Sequence, residues 1–494
     1  MFGFAIRKTS ARLLVVAVAL LTVSFTAASA EAQSTRQLRS FEVGSHVLNR
    51  LAFGPTTNEV PYVARMGWKE WVEGQLNPTS IDDKEVQELL GKKCPSLKMT
   101  VTKLQAFQQL KGQERQREKR RIKKELADSV LLRAVYSKRQ FNEVIVEFWR
   151  NHFSVDVNKV PFLATSYEEN VLRQHAFGKF EDLLLATAEH PAMLFYLDNY
   201  VSKKGNLNEN YARELMELHT LGVDNGYTQA DVIELARVLT GWTCGWRGRG
   251  AQREYRHFFN AAVHDSEPAT VVGLNLAGTG GEADGEKAIR HLARHQNTAR
   301  FISAKLCRYL VHDQPPVNLV DRVSAVFQKT GGDLREVYRA IIFSPEFMDG
   351  RNYRAKFKTP FEFLVSTLRT TDAQIQTTDR LIQSLKLMGQ PIYECLEPTG
   401  YYDQAEAWLD PGVMIYRWNF ALDLVRQKVK GVKIGKEFAE KVLLRPSSRS
   451  QAGMVIRMVM PGNNDVSTER LVARATDIRV MVAAALGSPG FQQQ

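Results

Sequence analysis

The sequence predicts a large all-α protein, mainly α-helical and built as one multi-helix domain, with a small irregular excursion carrying a β-hairpin near residues 243–280. Three observations carry that expectation. Apolar residues recur at i, i+3, i+4 and i+7 through most of the chain. The composition, 44% hydrophobic and 24% charged over 494 residues, supplies enough apolar side chain for a large core and argues against disorder. No long Pro/Gly/Ser linker divides the chain, so one domain with appendages is expected rather than several.

Taken in order, residues 1–30 stand apart. Arg7, Lys8 and Arg12 precede the apolar run Leu13 to Leu21, which fades into Ala28-Ser29-Ala30, the order of a secretory signal peptide. Cleavage is expected after Ala30 or Ala32, and no later stretch reaches the ~18 apolar residues that a transmembrane helix needs. A periplasmic or secreted protein with no membrane span after cleavage is therefore expected. Removing residues 1–30 takes away three basic side chains and no acidic one, which leaves the formal charge at +9 from +12. A linker at 31–40, a helical domain at 41–430 and a C-terminal helical extension at 431–494 packing on that domain complete the expected organisation.

Much of the positive charge falls between Lys111 and Lys124, where eight Lys/Arg stand against two Glu. Interleaved Gln predicts a long solvated helix, with an anionic envelope polymer as the rival reading. Nucleic acid is not expected, because the segment lacks the aromatics that stack on bases. Helices are expected at Gln140 to Asn151, Tyr167 to His175, Asn208 to Leu221, Thr228 to Gly241 and Asn297 to Val311. Thr228 and Asp231 make a capping-box start for the fourth, and Gly241 stops it. Leu334, Val337, Tyr338 and Ile341 before Ser344-Pro345-Glu346-Phe347 echo Ile478, Met481, Val482 and Ala485 before Ser488-Pro489-Gly490-Phe491 in the same register. Each Ser-Pro reads as a helix stop whose Phe folds back onto the core.

Cys94, Cys244, Cys307 and Cys395 are far apart, which removes zinc ribbons and thioredoxin-like motifs. One or two disulfides are permitted outside the cytoplasm, and three full pairings remain open.

Candidate chemistry lies in three places. On one helix Asn210, Glu214 and Glu217 share a stripe, with Arg213 as an ion-pair partner and a divalent metal as the alternative. On another, Glu143, Glu147 and Asn151 share a stripe among Phe148, Trp149 and Phe153, with His152 following. Polar groups in such surroundings need partners, and the Asn210 stripe is the expected one. The Glu-x-x-His spacing of di-iron bundles is absent, since Glu217 to His219 is two residues and Glu147 to His152 is five. His264-Asp265 sits in the irregular excursion, where loops tend to carry function. His190 before Pro191 reads as a helix cap, His175 as a core histidine, and His46 carries no signal. No nucleophile elbow, phosphate loop, dinucleotide fingerprint or His-Glu-x-x-His occurs.

Leu48-Asn49-Arg50-Leu51-Ala52-Phe53-Gly54-Pro55, Phe148-Trp149-Arg150-Asn151-His152-Phe153, His190-Pro191-Ala192-Met193, Leu197-Asp198-Asn199, Asn208 to Leu215, Leu239-Thr240-Gly241-Trp242, His264-Asp265 and Trp408-Leu409-Asp410-Pro411 together resemble the bacterial family known as domain of unknown function 1800, over about Phe41 to Leu424. The resemblance implies an exported, largely helical protein often encoded beside a sulfatase-like family, and it implies no reaction. Two readings follow. One is an exported enzyme, metal-assisted in one version, in which Glu214, Glu217, His152 and Arg213 are catalytic and Asn151, Asn210, His264 and Asp265 bind substrate. The other is a non-catalytic binding or assembly partner of an exported sulfatase-like protein, with the same residues as a structural polar core. The basic helix adds a third, an envelope-polymer binder.

Overall fold

Thr228 caps the helix Gln229–Val238 through a capping box closed by Asp231, and Gly241 follows it at φ 82°. Local rules of this kind account for most of the architecture. The computed structural model describes residues 38–463 and 465–494, and their secondary structure is overwhelmingly helical. The expected signal peptide at 1–30 and most of the linker at 31–40 lie outside the described residues.

The expected helices appear as Gln140–His152, Gln229–Val238 and Gln296–Leu310. The segments from Tyr167 and Asn208 are helical too, but each contains a π-helical turn, at Glu168–Leu172 and at Leu215–Thr220. In the second, the Thr220 hydroxyl donates to the Leu215 carbonyl five residues back at 2.6 Å, the reach of the wider turn. The excursion is two hairpins: Trp242–Arg247 pairs antiparallel with Glu254–Phe259, and Ala269–Val271 with Leu274–Leu276. A third short pair, Gln374–Ile375 with Val432–Lys433, was not legible in the sequence, being two residues a side.

The basic segment lies in one 25-residue helix, Gly112–Tyr136. Its first half is largely exposed, while from Ile122 onward most side chains are buried. Ile122 closes a small satellite core with Leu104 and Phe162. The remaining apolar residues form one continuous core from Val47 to Phe491.

The two Ser-Pro echoes are structurally alike. Ser344 accepts from the Phe347 N–H at 3.2 Å and Ser488 from the Phe491 N–H at 3.3 Å, and both rings are buried. The C-terminal segment packs on the main body. Helix Ile478–Gly487 lies along helix Pro411–Val425 so closely that a Cβ on Gly487 would stand 2.8 Å from the Trp418 ring. The last residues pair with the loop before helix Pro360–Thr370: the Gln494 N–H donates to the Lys356 carbonyl at 2.8 Å, and the Lys358 N–H to the Gln492 carbonyl at 2.7 Å. Among the described residues no helix is long and apolar enough to cross a membrane.

Candidate functional site

The helix Gln140–His152 buries nearly every side chain, so its charged residues need partners. Trp149 anchors it, donating from its indole N–H to the Tyr338 hydroxyl at 2.8 Å. Arg150 makes a two-pronged contact with Glu168, Nε to Oε2 at 3.0 Å and NH2 to Oε1 at 2.8 Å, and its NH1 pairs with Glu147. The Tyr393 hydroxyl donates to Glu168 at 2.6 Å. Arg173 pairs with Glu143 at 2.5 Å and Arg133 with Glu169 at 2.5 Å.

This differs from the expected pairing with the Asn210 stripe. A buried carboxylate is stabilised by a cation far more than by an amide, and the neighbouring segment around Glu168 carries Arg173. Its π-helical turn, with Glu168 and Glu169 in succession, feeds two different arginines. Burial opposes ionisation of Glu168, but Arg150, Arg173 and the Tyr393 hydrogen bond overcome it and hold the carboxyl at about 2. Burial likewise works against the Glu143 carboxylate, and Arg173 reverses it, so the group ends below the usual range.

Glu147 behaves differently. Burial disfavours its carboxylate, Arg150 opposes that effect, and the negative charges of Glu168 and Glu362 add to it, so its carboxyl is raised. It is 18% exposed and lines a cleft of about 30 Å³, opposite Tyr393, Cys395 and Tyr401. Asn151 builds the wall. Its side-chain amide donates to the Tyr401 carbonyl at 2.7 Å and accepts from the Tyr401 N–H at 2.6 Å. Gly400 permits the approach, at φ 72°, since a Cβ there would stand 2.3 Å from the Asn151 carbonyl oxygen. Burial pushes the Cys395 thiol and the Tyr401 phenol up, so both line the cleft in their neutral forms.

The other expected site residues lie in separate surroundings. His152 is buried, its Nε2 3.2 Å from the His219 carbonyl, with the rings of Phe148, Trp149 and Phe153 around it. Burial, with Lys305 and His219 adding to it, drives His152 well below its ordinary value. Asn210 is exposed. Arg213 is half-buried and pairs along its own helix, with Glu209 at 3.1 Å and Glu217 at 3.4 Å. Glu214 is raised by burial and by Glu217, against Arg213. His264 donates from its Nδ1 to the Thr240 carbonyl (2.9 Å), while Asp265 pairs with Arg237 at 3.3 Å and donates its backbone N–H to the Thr240 hydroxyl at 2.8 Å. His264 and Asp265 thus pin the excursion to the end of helix Gln229–Val238.

Among the described residues no three His, Cys, Asp or Glu side chains gather as metal ligands would, so Glu214, Glu217 and His152 do not fit a shared divalent ion. The four cysteines are free thiols; burial pushes those of Cys94 and Cys307 up to about 12. The residues that sequence reasoning missed are Glu168, Arg173 and Tyr393. A signal existed for the first two, because Glu168-Glu169 and Arg173 sit on a segment otherwise read as core. Tyr393 lies in a loop with no periodicity to place it.

Comparison with known proteins adds one match. No curated protein and no solved structure matches the chain. A family model described as "Protein of unknown function (DUF1800)" matches residues 46–493, which takes in both the main helical body and the C-terminal segment. The chain belongs to this family of proteins of unknown function, DUF1800.

Proposed function

We propose that the protein is exported and that its cleft carries out proton-transfer chemistry, with Glu147 as general acid or base. The observation that carries the reading is the raised Glu147 carboxyl at the cleft, beside the fully ionised Arg150–Glu168 pair. Two carboxyls in one neighbourhood with opposed shifts are the arrangement that divides acid from base roles. The charge network fixes Arg150, and Asn151 fixes the facing wall, so Glu147 is held rigidly while its proton stays available. A cleft of about 30 Å³ admits a terminal group, not a whole drug-sized ligand. Export rests on the basic, apolar and small-residue order of residues 1–30.

The experiment is a panel of ester, amide, glycoside and phosphoester substrates assayed across pH with parent and Glu147→Gln. Turnover by the parent should be lost on substitution, by roughly 100-fold or more, the scale of one acid–base group. Equal turnover by both proteins, or none by either, would sink it.

A second reading, assembly with an exported sulfatase-like protein, is favoured by one observation. Leu396, Tyr402, Leu409, Ile415, Tyr416 and Trp418 are exposed large apolar side chains on and just before helix Pro411–Val425. Contiguous exposed apolar surface marks interaction sites. Co-elution with a co-expressed sulfatase-like protein, with Glu147→Gln behaving as the parent, is what this reading expects.

A further inference from the structure

Lys358 lies in the loop before helix Pro360–Thr370 and is 2% exposed. Its backbone is fully used: the N–H donates to the Gln492 carbonyl, and its carbonyl accepts from Arg417 at 2.8 Å. Its ammonium has no such partner. The Nζ rests 4.1 Å from the centre of the Phe491 ring, and among the described residues no carboxylate or carbonyl accepts from it.

Lys358 lines a second small cleft together with Arg354, Asn49, Gly490 and Gln493. Arg354 donates to the Gly490 carbonyl at 2.7 Å, yet its Nε is buried with no acceptor. Its backbone is left-handed, at φ 56°, a conformation that a long side chain adopts only when its surroundings impose it. Arg417, which donates to the Lys358 carbonyl, is fully buried, and its Nε and NH2 have no acceptor among the described residues.

The charges around the amine do not balance. Arg354 and Arg417 face Lys358 with one carboxylate, Glu362. Both Glu362 oxygens are already occupied, by the Thr359 N–H at 2.7 Å and the Gln494 side-chain amide at 2.9 Å. Burial first and then Arg354 outweigh the pull of Glu362, with Arg417 adding a smaller push, and bring the Lys358 amine down to about 7. Unpaired buried cations cost several kcal/mol, and proteins normally supply a partner. Nothing among the described residues supplies one here.

We propose that this cleft binds a small oxyanion, a carboxylate, phosphate or sulfate group, with an oxygen seated between Lys358 and Arg354. Guanidinium and ammonium donors at one point are the usual recognition elements for such a group. The space, about 10 Å³, is the size of one oxygen, so the rest of the ligand stands at the open mouth. The inference is independent of the Glu147 reading, since it rests on other residues and another cleft.

The test uses the full chain in thermal unfolding and titration calorimetry, with inorganic phosphate, sulfate and acetate against chloride at matched ionic strength. Phosphate or sulfate should raise the melting temperature beyond chloride. Lys358→Met keeps the apolar stem on Phe491 and removes the charge; it should fold at least as stably as the parent and bind phosphate roughly tenfold or more weakly, the scale of one charge-assisted hydrogen bond. Arg354→Gly, which also relieves the left-handed backbone, should weaken binding in the same direction. Glycerol phosphate binding more tightly than inorganic phosphate would assign the site to the end group of a larger solute, and equal binding would assign it to the free ion. A parent that responds to these anions no more than to chloride overturns the proposal. So does a phosphate response that survives Lys358→Met.

Discussion

Arg150 and Glu214 show how differently two charged residues on helices behave once burial is known. Arg150 is 8% exposed and is the two-pronged partner of Glu168, which is 0% exposed. Arg150→Met should strand the Glu168 carboxylate and cost roughly 3–5 kcal/mol in urea unfolding. Glu214 is half-buried beside the like charge of Glu217, so Glu214→Gln should stay within about 0.5 kcal/mol of the parent. A change under about 1 kcal/mol for Arg150→Met, or a collapse for Glu214→Gln, would refute this ordering. That polar groups among Phe148, Trp149 and Phe153 must be paired was legible in the sequence, because an unpaired charge cannot sit among rings. The identity of the partner was not. Helical spacing says which side chains share a face and is silent on which helix lies opposite.

At the scale of elements, caps and stops were the most legible features, since each is decided by residues within one turn. The Thr228–Asp231 box, the His190 cap accepting from Ala192 at 3.1 Å and the two Ser-Pro stops all formed where their residues stand. The π-helical turns were not legible, because one extra residue in a turn leaves the apolar pattern nearly unchanged over so short a segment. The basic helix Gly112–Tyr136 was half legible. Arg121 reaches Glu118 and Glu125, Lys123 reaches Glu394, and Lys124 reaches Asp128, whereas Lys111, Arg115, Arg117 and Arg120 form no ion pair among the described residues. Glu125 is itself nearly buried and accepts the Ser96 N–H at 2.7 Å. Replacing Lys111, Arg115, Arg117 and Arg120 with Gln should therefore leave stability within about 0.5 kcal/mol, because Gln is also a good helix former. Arg121→Gln should cost about 1–2 kcal/mol. Urea midpoints of the two variants check this, and equal values would mean that the ion pairs contribute nothing. If the free face holds an anionic envelope polymer, the fourfold variant alone should lose salt-sensitive retention on envelope fractions.

Over the whole molecule the same core that closes the chain also sets its response to acid. His46 donates to the Phe347 carbonyl, His190 caps helix Pro191–Tyr196, and His219 lies against Phe153, so these histidines sit in different parts of one continuous core. Burial holds the folded-state values of His46, His190 and His219 at about 3, and it holds His152 well below its ordinary value. The unfolded chain protonates such groups near 6.5. Between about pH 6.5 and pH 3 the unfolded state therefore binds more protons, and stability falls as pH falls, by up to roughly 1.4 kcal/mol per pH unit for each histidine. Glu168, held at about 2 against an ordinary value of 4.5, adds to the fall as pH drops from about 4.5 towards 2, and the raised Glu147 carboxyl works in the opposite direction, costing stability as pH rises through its value. The four histidines dominate this window, because burial displaces all of them downward together. Urea midpoints measured from pH 7 to pH 4 should drop steeply, and His219→Asn, which removes a ring with neither nitrogen partnered, should flatten the slope by about one proton. A midpoint independent of pH over that range would mean that the four rings are accessible to protons in the folded state, and the closed core described for them would be wrong.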